Sequence, residues 1–82
     1  MPNPQLLYAA EQLGLLLRAA RKTRGLSQAE LGQKLGLSQG RISALELNPK
    51  ALNLEQLMAW TSAVGLELQI KEKGATPPDE AW

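Results

Sequence analysis

The chain has 82 residues, nine Lys and Arg against eight Asp and Glu, 44% hydrophobic residues, and no His, Cys or Phe. That length holds one small domain with a marginal core, and with no disulfide or thiol metal site to staple it, oligomerisation is the remaining common source of stability. Without imidazole or thiolate there is no tetrahedral N/S metal site, no Cys nucleophile and no His base, so neither enzyme activity nor a metal or cofactor is expected. No stretch approaches ~18 consecutive apolar residues and no basic-then-apolar leader opens the chain, which predicts a cytoplasmic protein with no membrane partner. The near-neutral charge is unevenly spread. Residues 15–50 carry seven basic and two acidic side chains, a net +5, and residues 51–82 carry two basic and five acidic, a net −3. Only the first of these segments suits a polyanion.

Pro4 can open a helix, and Leu6, Leu13, Leu16, Leu17 and Ala20 fall at helical spacing over residues 5–22, with Gly25 as the stop. Gly14 inside that run implies either a close neighbour or a later helix start. Ser27 with Glu30 is a capping box that opens a second helix over 28–35, ended by Gly36. Ser38 caps a third over 39–47, closed by Asn48-Pro49. Asn53 with Gln56 repeats the cap for a fourth helix through residue 64, with Leu54, Leu57, Met58 and Val64 as its expected buried set and Gly65 as its stop. Trp60 on that helix reads as a core or dimer-interface residue.

The period then changes from 3.6 to 2. Leu66, Leu68 and Ile70 alternate with Glu67, Gln69 and Lys71, the pattern of a half-buried strand over 66–72. A lone strand leaves its backbone groups unpaired, and its economical partner is the same strand of a second copy, antiparallel about a two-fold axis. The alternative is an extended tail lying on the fourth helix. Residues 73–82 combine Gly, two Pro and acids without apolar periodicity, so a mobile tail is expected there. It ends in Trp82, either a frayed terminus or an anchor for a partner's pocket.

Between residues 28 and 47, apolar Leu31, Leu35, Leu37, Ile42 and Leu45 combine with small Ala29 and Gly32 and a turn glycine, Gly36. This is the helix-turn-helix pattern: a tiny residue where the units approach, a positive φ in the turn, and a second helix pinned by Ile42 and Leu45. At 100° per residue Gly40, Ser43, Ala44 and Leu47 point away from that pinned side, with Gln39 and Arg41 on the flanks. An outer face of small residues lets a helix sink into a groove. There Gln39 can pair bidentately with adenine and Arg41 can reach guanine or phosphate; the plainer alternative is solvated helix surface. Lys22, Arg24 and Lys34 are either solvated charges or phosphate contacts.

The stretch GLSQAELGQKLGLSQGRISALE resembles the Cro/CI-like (XRE-type) DNA-binding family. The resemblance implies an all-α fold: a compact four- to five-helix helix-turn-helix domain over 1–65, followed here by the dimerising strand and the tail. It implies that Ser38, Gln39, Gly40, Ser43 and Ala44 face the major groove, that Gln28 holds a phosphate, and that Arg21 and Glu46 form a buried ion pair joining the first helix to the third. The strand LELQI and the terminal EAW further resemble HipB-type antitoxins. That likeness implies a bacterial homodimer, bound to the nucleoid at palindromic operators upstream of its own operon, that holds a HipA-like serine/threonine kinase toxin inactive. Dimerisation would run through Leu66, Leu68 and Ile70, and Trp82 would meet the toxin. A small phage or plasmid repressor without a toxin is the second reading, and a protein-interaction module that binds no DNA is the third.

Overall fold

A computed structural model describes residues 5–74. Four α-helices, α1 (Ala10–Thr23), α2 (Gln28–Leu35), α3 (Gln39–Leu47) and α4 (Leu54–Ala63), follow one another, with a 3-10 turn at Pro49–Ala51 between the last two. The local signals of the sequence start and stop them. Ser27 Oγ accepts from the Glu30 N–H while Glu30 accepts from the Ser27 N–H, and Asn53 and Gln56 form the same reciprocal pair ahead of α4. Each such cap contributes about 1 kcal/mol. Gly36, at φ 72°, ends α2 in the left-handed region, where Leu37 N–H can bond back to the Gly32 carbonyl at 2.8 Å.

The first helix starts at Ala10 and not at residue 5, a correction with a visible cause. Leu6, Leu7 and Tyr8 are exposed, so a helix continued backwards would have no core to face. Gln12 holds the segment before the helix instead, accepting from Tyr8 N–H at 2.8 Å and donating to the Leu6 carbonyl at 2.5 Å. Gly14 meets both alternatives left open by the sequence. The helix begins late, and a Cβ at Gly14 would collide with the Glu46 carbonyl and lie 3.3 Å from Pro49. At Gly32 it is the backbone of the turn, at Leu37, that leaves no room for a side chain.

Leu17, Leu31, Ile42, Leu45, Trp60 and Val64 form the core, drawn from all four helices. Trp60 is fully buried, so of its two expected roles the core one is realised. The buried face of α4 differs from the expected set: Leu54 and Met58 lie outside, while Trp60, Thr61 and Val64 are buried and Leu57 is half-buried. The helix is rotated to bring Trp60, its largest side chain, inward, and positions 57, 60, 61 and 64 then make one continuous stripe. Residues 66–72 have no regular secondary structure in the single chain, and Ile70 is 96% exposed.

Candidate nucleic-acid interface

The second and third helices pack tightly, and Ile42 and Leu45 are fully buried, which fixes which side of α3 faces outward. That side carries Gly40, Arg41, Ala44 and Leu47, all exposed, with half-buried Ser43 beside them and exposed Gln39 in the first turn. A Cβ at Gly40 would meet nothing within 4 Å, so no packing demand in the folded chain explains this glycine. Ser38 Oγ accepts from the Arg41 N–H at 3.1 Å, so Ser38 caps α3 and keeps only its hydroxyl hydrogen for an outside acceptor.

Beneath this face lies the expected ion pair. Arg21 donates from Nε to Glu46 Oε2 at 2.7 Å and from Nη2 to Oε1 at 3.2 Å, both residues more than nine-tenths buried. Its Nη1 donates to the Leu26 carbonyl at 2.8 Å, so the guanidinium also clamps the loop between α1 and α2. Buried charges survive only with such complete partnering.

The chain of bonds continues outward. Gln28 Nε2 donates to Glu46 Oε1 at 3.0 Å, and Gln39 Nε2 donates to Gln28 Oε1 at 2.6 Å. A buried carboxylate thereby orients one amide, which orients the next, and the end of the relay is the exposed Gln39. After this bond Gln39 retains its carbonyl oxygen and one N–H, the acceptor and donor that a bidentate pairing with an adenine edge uses. Sequence reasoning placed Gln28 as a phosphate holder and missed this link; the available signal was that residues 28 and 39 are the first residues of the two helices. Gln28 keeps one amide hydrogen and its place at the N-terminus of α2 for an anion.

The basic residues divide. Arg24 turns away, its guanidinium lying over Gly65 at the end of α4, a helix with no basic residue in its last turn. There a cation complements the helix dipole, which gives Arg24 a structural role, while its side chain stays exposed. Lys22, Lys34 and Arg41 are exposed. Trp82 lies outside the described residues. Among the described residues no cluster of acids suited to a metal occurs, and no helix is long and apolar enough to cross a membrane.

The chain is similar to known proteins in sequence and in fold. The family described as helix-turn-helix (HTH_3) matches residues 17–70. Antitoxin HipB of Escherichia coli K12 is 30% identical over 78 residues, covering 94% of this chain and 89% of its own length. Antitoxin HipB of Escherichia coli O6:H1 is 27% identical over 81 residues, covering 99% of this chain and 86% of its own length. Among solved structures, a chain of the HipA-HipB-O2-O3 complex superposes with a TM-score of 0.74 at 28% identity, covering 84% of this chain and 97% of the other. A chain of a HipB-O4 20mer complex gives 0.73 at the same identity and coverage.

Proposed function

Because the chain belongs to the Cro/CI-type helix-turn-helix family and is HipB-like over nearly its whole length, we propose that it is a DNA-binding antitoxin. It acts as a homodimer that represses its own operon and neutralises a HipA-like serine/threonine kinase toxin. The observation that carries the DNA-binding part is the relay from Glu46 through Gln28 to Gln39. Such a relay costs two side chains their rotamer freedom and gives the monomer little stability in return at an exposed site; holding Gln39 in one orientation serves a partner that reads it. In this reading Gln39 pairs with adenine, Arg41 reaches guanine or phosphate, and Gly40, Ser43 and Ala44 let α3 approach the base edges with Ser38 at its leading end.

Two copies related by a two-fold axis place two such helices on a palindrome. The support for pairing through 66–72 is the alternation of Leu66, Leu68 and Ile70 with polar residues, and the exposure of Leu68 and Ile70 in the single chain. Leu68→Pro removes a ladder donor and is expected to convert a sedimenting dimer to monomer. The toxin assignment draws support from the HipB relatives and from the HipA named with HipB in the structural neighbour; Trp82 is its proposed anchor on the toxin. Gel shift on the region upstream of the operon tests the whole: retardation of a palindrome in preference to random DNA is expected, and equal retardation of both overturns specific reading. Co-purification with the neighbouring gene product separates an antitoxin from a repressor that acts alone.

A further inference from the structure

A groove of about 520 Å³ opens between α1 and α3, lined among others by Leu15, Arg18, Gln28, Ser43 and Leu47. That is far more room than a single ion needs. Its floor is electrically closed, because Arg21 and Glu46 neutralise each other there. The charge left on its walls is Arg18, which is exposed and takes part in no hydrogen bond or ion pair among the described residues. The groove is also lined by two leucines that the fold leaves outside, Leu15 at 69% and Leu47 at 82% exposure. Leu15 and Arg18 are three residues apart on α1 and so share a face, ~4.5 Å apart along the axis.

We infer that this groove seats the sugar–phosphate backbone of one DNA strand, with Arg18 on a phosphate and Leu15 and Leu47 against the flanking deoxyriboses. The inference rests on the DNA-binding reading and extends it. Two observations name the occupant. The groove is continuous with the base-reading face, since Gln28 and Ser43 line one and belong to the other, so a duplex docked on α3 runs its nearer strand past it. The walls also combine a cation with exposed apolar side chains, the two kinds of contact that a strand of phosphates and sugars offers. Arg18 is thus a positioning residue: it sets where the duplex lies and reads no base.

The test measures binding of the full-length protein to the palindromic operator and to random duplex across a range of salt concentrations. Arg18→Ala is expected to weaken both by the same several-fold factor and to reduce the slope of log K against log salt by about one. Leu47→Ala is expected to weaken both alike and leave the slope unchanged. Lys73→Ala, which removes the same charge from the far end of the described chain, is expected to change neither. An unchanged slope in Arg18→Ala overturns the inference, as does an equal fall in slope in Lys73→Ala, which would make the effect one of net charge alone. Failure of the underlying reading looks different: the wild type would then show no preference for the palindrome, or Gln39→Ala would leave that preference intact.

Discussion

Around Glu46 every polar group brought inside finds a partner, whereas beyond Leu66, which packs against the core, the apolar Leu68 and Ile70 remain largely outside. The first region is completed by the chain's own fold: one carboxylate accepts from Arg21 and Gln28, and what reaches the surface is a single oriented amide. The second is left unfinished, with Leu68 half-covered and Ile70 almost bare. Burial of apolar surface stabilises by roughly 25 cal/mol per Å², so such a stretch gains from a second copy, while the ion-pair region gains nothing from one. On the proposed reading, the difference would assign DNA binding and dimerisation to separate ends of the chain.

That contrast can be broken most forcefully at Glu46. Replacing it by Ala strands the Arg21 charge and is expected to cost ~3–5 kcal/mol in chemical denaturation. The paired replacement Arg21→Met with Glu46→Leu should recover most of that loss, because an apolar pair of similar volume also packs. It should not recover sequence preference in DNA binding, since Gln28 would still lack the acceptor that orients it. Equal recovery of stability and of preference would show that the relay has no part in recognition.

Next in size is Gly14. An added methyl meets the Glu46 carbonyl, and overpacking of ~1–3 kcal/mol set against ~1 kcal/mol of improved helix propensity leaves Gly14→Ala less stable by up to about 2 kcal/mol. Gly40 is the opposite case. Its Cβ would meet open space, so Gly40→Ala is expected to raise stability by ~1 kcal/mol while weakening operator binding, a split readable by thermal melting beside gel shift.

The far end of the molecule should respond differently. Ile70→Lys is expected to leave the unfolding free energy of the isolated monomer within ~0.5 kcal/mol and yet abolish association in sedimentation, which sharpens the division between the two regions. A smaller effect concerns Glu30. Its hydrogen bonds with the Ser27 backbone and side chain hold its carboxyl below the ordinary value of 4.5, with a minor contribution from Lys34. A depressed folded value means that the capping box stabilises above the ordinary carboxylate range and that this contribution is lost as pH falls through the folded value. Glu30→Gln should therefore flatten the acid limb of the stability profile slightly.

The caps at Ser27, Ser38 and Asn53, the stop at Gly36 and the inward side of α3 were legible in the sequence. Each is decided by groups within about four residues of one another, where a single hydrogen bond or one turn of helix settles the conformation. The candidate reading residues were legible for the same reason, since burying Ile42 and Leu45 fixes which residues of α3 remain outside. Tertiary structure alone decided the rest. Whether α1 begins at residue 5 or 10 depended on whether Leu6 had a core to face, and the rotation of α4 depended on where Trp60 could be buried. Arg24 lies beside Gly65 at the end of α4, forty-one positions away in the chain. The relay joins residues 11, 18 and 25 positions apart. Sequence periodicity shows which residue types can bond, but which distant partners meet is fixed only when helices pack, because close packing admits few arrangements in which a buried charge such as Arg21 or Glu46 is fully partnered.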